Sequence, residues 1–251
     1  MNKNKKNRDY TVECVGLTKS FPGLTAVNHL DLNIQRGSIF ALLGPNGSGK
    51  TTTINMAAGL LPPTSGDVLV CGHSIIESPL QVKQHIGVVP EDLGLFRMIS
   101  LWEHMLIAGS VYGLTGKETE ARSETLFKML DLWQDRDKNA DFASFGMKKK
   151  LSIAMSLIHS PAVLFLDEPF KGIDPVASRI IRELLVELSQ KGITIFLTSH
   201  LTAKLERIID QYAIIAAGKM VKHAFIEEDE RSQINLEDIF FQFIEAPVKP
   251  E

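Results

Sequence analysis

Apolar residues fall into two kinds of run along this chain. In TVECVGL (11–17) and LDLNI (30–34) they alternate with polar residues, and the turn signals FPG and RG break the pattern. That period predicts antiparallel strands. SIFALLG (38–44), HIGVVP (85–90), AVLFLDEP (162–169), ITIFLTSH (193–200) and YAIIAAG (212–218) are short and nearly all apolar, as strands buried on both faces must be. GDVLVCG (66–72) has strand character too. TTTINMAAGLL (51–61) predicts a helix. ASRIIRELLVELSQKG (177–192) predicts an amphipathic helix that stops at Gly192. Between about residues 92 and 160 the period changes: LWEHMLIAGSVYGL, KETEARSETLFKMLDLW and MKKKLSIAMSLIHS carry apolar residues at helical spacing. Strands alternating with helices predict an α/β fold around a mostly parallel sheet, with an antiparallel N-terminal part and a helical insertion.

The loop after the first all-apolar run carries the clearest chemistry. GPNGSGKT, from Gly44 to Thr51, fits the phosphate-loop pattern G-x-x-x-x-G-K-[ST] at every fixed position, between a strand and a helix. Glycines let backbone N–H groups converge on phosphate oxygens, and the following helix turns its positive end to the same anion. Lys50 is expected to reach the β- and γ-phosphates and the Thr51 hydroxyl to help hold Mg²⁺. Pro45, Asn46, Gly47, Ser48, Gly49 and Thr52 complete the expected contact set. This motif alone means a nucleoside triphosphate, without separating a kinase, a GTPase and a transport motor. Asp167 and Glu168 follow four apolar residues at a strand exit, where ligands of open α/β sheets gather. Asp167 is then a metal ligand, and Glu168 the group that orients or deprotonates the attacking water. His200 ends another buried strand; alone it would read as a strand-end cap, and beside a phosphate loop it can donate to the γ-phosphate.

Composition narrows the class further. The 251 residues suit one large α/β domain with an inserted subdomain. A formal charge of −3 offers no general nucleic-acid surface. Two cysteines, Cys14 and Cys71, without metal-ligand neighbours fit a reducing compartment. No apolar run approaches the roughly 20 residues that span a bilayer, so any transmembrane path must come from another chain. The basic start MNKNKKNRDY (1–9 and Tyr10) and the end APVKPE (246–251) read as disordered tails around a domain at 10–245.

With these motifs in order, the chain resembles the ABC ATPase family over nearly its whole length. The resemblance implies a RecA-like P-loop core, ATP and Mg²⁺ as ligands, and dimerisation with a second ATPase subunit. It also implies docking onto integral-membrane permease subunits at the cytoplasmic face of the membrane. Phe21, in LTKSFPG, falls where the family stacks an aromatic on adenine. Glu91, in VVPED, falls at the Q-loop, a further metal contact, where Gln is usual; an ionised Glu ligates cations but donates no hydrogen bond. ASFGM (143–147) occupies the position of the signature LSGGQ. Ser144 and Gly146 match, and they would meet the ATP held by the opposite subunit; Phe145 and Met147 depart. KGIDP (171–175) resembles the D-loop SGLDP, with Asp174 matching and Lys171 departing. The run Lys148–Lys149–Lys150 reads as a solvated helix face, with a phosphate or lipid contact as the alternative. Glu91, the Gly146–Met147 pair and the ending LEDIFFQF are most like the ABC-2 type exporter branch. Two other readings compete. A soluble ABC ATPase acting on nucleic acid or ribosomes would need arms, zinc sites or tandem cassettes for which this chain lacks room. A P-loop kinase would have little use for a signature helix and a strand-end histidine.

Overall fold

The computed structural model describes residues 9–200, 205–227 and 234–244, which excludes nearly all of the two tails. Two sheets form the frame. β1 (Tyr10–Phe21) and β2 (Leu24–Gln35) pair antiparallel, and β1 also pairs antiparallel with β4 (Ser65–Val70), which β5 (His73–Ser74) edges. Both long strands alternate inward and outward residues, so one face is packed and the other open. The second sheet has the order β10-β9-β3-β8-β7-β6. Here β3 (Ile39–Leu43), β6 (Ile86–Val89), β7 (Val163–Asp167), β8 (Thr194–Ser199) and β9 (Gln211–Ala216) run parallel, and β10 (Lys219–Phe225) closes one edge antiparallel.

The parallel sheet is the centre of the molecule because both of its faces are covered. Ile39, Ala41 and Leu43 of β3 pack into a core shared with the helices α3 (Leu101–Val111), α4 (Gly116–Met129), α5 (Phe145–Leu157) and α6 (Pro175–Gln190). Phe40 and Leu42, on its other face, pack into a second core against the antiparallel sheet and α1 (Lys50–Ala57). The continuous apolar run of β3 is thus the mark of a strand with no solvent side. α2 (Pro79–His85) leads into β6, and α7 (Leu236–Ile244) is the last described helix.

Two helices of the insert begin with a capping box. Ser100 and Glu103 close α3, and Thr115 and Glu118 close α4, each pair exchanging backbone and side-chain hydrogen bonds. Ser-x-x-Glu and Thr-x-x-Glu are visible in the sequence as start signals. One expectation fails. Of the three lysines in α5, Lys149 and Lys150 are buried, so this is not a solvated helix face. Lys150 instead donates from Nζ to the Asp131 carbonyl at 2.9 Å, tying α5 to the end of α4.

Candidate active site

Strand register gathers the polar residues of the parallel sheet at one edge. Leu43 of β3 is level with Ser199 of β8, and Thr198 is level with Asp167 of β7. The residues that follow, Gly44, His200 and Glu168, therefore emerge side by side. β8 lies between β3 and β7, so the phosphate loop and the carboxylates are two strand spacings apart, about 10 Å.

The loop itself is shaped by glycine. At Gly49 φ is 108°, and a Cβ there would lie 2.3 Å from the Ala26 carbonyl oxygen. At Gly44 a Cβ would come within 2.5 Å of the Ile215 carbonyl oxygen. No side chain caps α1, and its first turn carries no acid. Its leading N–H groups are left for a ligand. The Ser48 hydroxyl is buried without a hydrogen-bond partner. Lys50 folds back over the loop, donating from Nζ to the Gly44 carbonyl at 2.8 Å and the Pro45 carbonyl at 3.1 Å, with Glu168 Oε1 at 3.8 Å. Burial lowers its pKa, while Glu168, Asp167 and Glu91 push it up.

Asp167 and Glu168 are both buried. Asp167 Oδ1 accepts from the Thr198 hydroxyl, which fixes its rotamer from the neighbouring strand. Glu168 has φ at 48°, and its backbone N–H donates to the same hydroxyl at 3.1 Å, so the turn after β7 is anchored twice by Thr198. His200 Nδ1 donates to Glu168 Oε1 at 2.8 Å. Lys50, Glu168 and His200 thus form one chain of contacts. Thr198 is a positioning residue that sequence reasoning missed, although its place one before Ser199 in a buried strand marks it.

A cleft of about 430 Å³ runs from this cluster to the antiparallel sheet; Asn46, Gly47, Lys50, Thr51, Thr52 and Phe21 line it. Phe21 ends β1 with its ring 43% exposed and Lys19 Nζ 5.3 Å from the ring centroid. An exposed ring beside a phosphate cradle offers a flat platform for a base. A second cavity, of about 700 Å³, opens on the far side of the carboxylates and shares Thr51, Glu91, Glu168 and Lys171 with the first. Glu91 is held by Lys171, whose Nζ donates to Oε1 at 2.6 Å. That bond holds the Glu91 carboxyl below the usual range and raises the Lys171 pKa. Thr51, Asp167 and Glu91 share this cavity, and no group of three or more His, Cys, Asp or Glu converges among the described residues. One hydroxyl and two carboxylates fit Mg²⁺, which takes few protein ligands and completes its shell with water and substrate phosphates.

Ser144, Gly146 and Asp174 gather elsewhere. Ser144 caps α5, its hydroxyl accepting from Met147 N at 3.2 Å. Asp174 caps α6, accepting from Val176 N and Ala177 N, both at 2.9 Å. Those bonds, that of Ala177 foremost, hold its carboxyl below the usual range. A Cβ on Gly146 would lie 3.0 Å from both Asp174 Oδ2 and Ala177 Cβ, so the two helix starts touch there. None of the three lines the phosphate-loop cleft. Phe145 projects beside them, 46% exposed, with its ring against Gly172.

The sequence family described as ABC transporter matches residues 27–171. The chain is 34% identical over 210 residues to the linearmycin resistance ATP-binding protein LnrL of Bacillus subtilis (strain 168), covering 84% of this chain and 68% of that protein. It is 34% identical over 212 residues to the bacitracin transport ATP-binding protein BcrA of Bacillus licheniformis, with the same coverage of 84% and 68%. Among solved structures, an ATP-binding subunit of an ABC transporter superposes with a TM-score of 0.83 at 27% identity, over 93% of this chain and 99% of that one.

Proposed function

The chain belongs to the ABC transporter family as an ATP-binding, ATP-hydrolysing subunit, and from that premise we propose that it is half of a paired motor driving separate membrane-spanning subunits of an exporter. One observation carries the reading. Lys50, Glu168 and His200 are joined around one cleft, while Ser144, Gly146 and Asp174 form a second polar cluster outside it. Each cluster is half of a site, and two copies set head to tail complete both.

Within one copy, Lys50 and the open N-terminus of α1 bind the phosphates, and Phe21 stacks on the base. Thr51, Asp167 and Glu91 would hold Mg²⁺, which would supply charge neutralisation to the phosphates. Glu168 positions the attacking water and takes up its proton, and His200 both orients Glu168 and meets the γ-phosphate. From the other copy, the Ser144 hydroxyl and the start of α5 close the far side of that phosphate. Hydrolysis removes this bridge and the pair opens, an order-by-γ-phosphate switch.

The membrane partner is taken up on the insert. A groove of about 620 Å³ lies between β6 and α3 beside the Glu91 loop, lined in part by Pro90, Leu93, Phe96, Ile107, Val111 and Tyr112. Among the described residues no helix is long and apolar enough to cross a membrane. The exposed apolar side chains of this groove suit a helix from a membrane-embedded chain, which supports a motor bound peripherally at the cytoplasmic face. Outward transport follows the resemblance to a subunit named for linearmycin resistance.

Glu168→Gln is the decisive test. Nucleotide binding persists, phosphate release falls by about 10²–10⁴-fold, and an ATP-dependent dimer accumulates in sedimentation. A variant that turns over ATP at the unaltered rate would remove Glu168 from the reaction. Val111→Asp is expected to release the chain from the membrane protein with which it co-purifies.

A further inference from the structure

Four carboxylates line the 700 Å³ cavity on the water side of the site: Glu91, Asp92, Asp167 and Glu168. Two ammonium groups face them, Lys149 and Lys171, and Lys171 is already bonded to Glu91. Lys149 is different. It is only 1% exposed, yet among the described residues its Nζ makes no hydrogen bond or ion pair. The Phe145 ring, 5.8 Å away, is the contact it does make. Its neighbours show the contrast: Lys150 is bonded to the Asp131 carbonyl, and Lys50 to two loop carbonyls. A lysine whose stem is buried and whose ammonium opens on a cavity without a bonded partner is held there by the surrounding charges. Burial lowers the Lys149 pKa, but Asp167, Glu91 and Glu168 oppose that shift.

We propose that Lys149 is a positioning residue for ATP hydrolysis, the uncommitted cation that balances Glu91 and Asp167 and sets how tightly the site takes a divalent metal. The inference rests on the ATPase reading above. Its physical content is a pair of opposed effects. A fixed positive charge near Asp167 and Glu91 repels an incoming Mg²⁺ and attracts the charge that gathers on the γ-phosphate oxygens during transfer. Removing it should tighten metal binding and slow the reaction together. A residue that only packs α5 would slow the reaction without improving the metal.

The test is Mg²⁺ binding to the ATP-bound full chain, read by calorimetry, together with phosphate release titrated with Mg²⁺ at saturating ATP. Lys149→Met keeps the unbranched stem and removes the charge. It is expected to lower kcat by about 10- to 100-fold and the Mg²⁺ concentration for half activity by about 3- to 10-fold. Lys149→Arg should return both to within about threefold of the unaltered chain. Adding Glu91→Gln to Lys149→Met should bring the Mg²⁺ requirement back up, since one negative charge leaves with the positive one. Should Lys149→Met fail to fold, Lys149→Gln carries the same comparison. A folded neutral variant with unaltered kcat and Mg²⁺ dependence would overturn the proposal. So would a fall in kcat with an unmoved Mg²⁺ requirement and no recovery in Lys149→Arg. If the unaltered chain releases no phosphate from ATP, the ATPase reading falls and takes this inference with it; an active chain with indifferent variants removes the inference alone.

Discussion

The helix that follows the phosphate loop starts without any side-chain cap, whereas the two helices of the second polar cluster are closed by their own first residues. Gly49 leads into α1 at φ 108° with no side chain on the leading N–H groups. Ser144 covers Met147 N at the start of α5, and Asp174 covers Val176 N and Ala177 N at the start of α6. A cap and an anion compete for the same donors. The open start therefore leaves its leading donors free for an anion. The capped starts are stable surfaces: Ser144 Oγ accepts from Met147 N and keeps its own hydroxyl proton to donate, while the Met147 N–H is already taken. One region gives up local helix stability to leave its donors open, and the other keeps that stability.

Charge removal at the open start should have the largest effect. Lys50→Ala takes away the ammonium that bridges the loop carbonyls and approaches Glu168. Phosphate release is expected to fall by about 10³-fold, a loss of the size seen when one preorganised donor to a reacting oxyanion is deleted. A loss as large in Ser144→Ala would break the contrast, because it would make the capped start as indispensable as the open one.

Backbone shape comes next. Gly49→Ala places a methyl against the Ala26 carbonyl in a backbone region that side chains avoid. Destabilisation of about 1–3 kcal/mol should follow, seen as a lower Tm, with weakened ATP binding. A variant that melted normally and bound ATP normally would show that the loop does not need its tight turn. Ser144→Ala should cost less, about 1 kcal/mol for a lost cap, measured by denaturant unfolding. Its turnover should fall by about tenfold, since Gly146 and the backbone at the start of α5 remain.

Much of the open start was legible in the sequence, because buried parallel strands leave long apolar runs whose ends must be where polar chemistry collects. GPNGSGKT, Asp167–Glu168 and His200 all stand at such ends, and the register brings them to one edge. The two capping boxes also carry a local pattern, Ser-x-x-Glu and Thr-x-x-Glu, although neither was among the elements expected from the sequence. What could not be read depends on distance along the chain. Lys171 reaches Glu91 from 80 positions away, and Lys150 finds a carbonyl 19 positions earlier. Three consecutive lysines look like solvent on any helical wheel, yet α5 packs between β6, α3, α4 and α6 and takes two of the three inside. Burial of a charged side chain is decided by what surrounds the helix, which local period does not record.

Acid should separate the capped helices from the open one with the smallest effect. The Glu103 carboxylate accepts from Ser100 N at 2.6 Å and from the Ser100 hydroxyl at 2.8 Å, and Glu118 accepts from Thr115 in the same way at 2.9 and 2.7 Å. In each case the backbone bond is the larger cause, and both carboxyls are held below the ordinary glutamate value of 4.5. A carboxyl whose pKa is lower folded than unfolded stabilises the fold above its unfolded value and loses that contribution as pH falls through its folded value. Below about pH 4.5 the starts of α3 and α4 should therefore loosen, while α1, which has no acid in its first turn, has no such group to lose. Hydrogen exchange corrected for the intrinsic pH effect should show protection fading first at the starts of α3 and α4 on acidification. Glu103→Gln and Glu118→Gln should flatten that dependence at their own helices, because no carboxyl is left there to take up the proton. Equal fading at α1 would mean that acid acts on the fold as a whole, and the difference between capped and open starts would then have no part in its acid response.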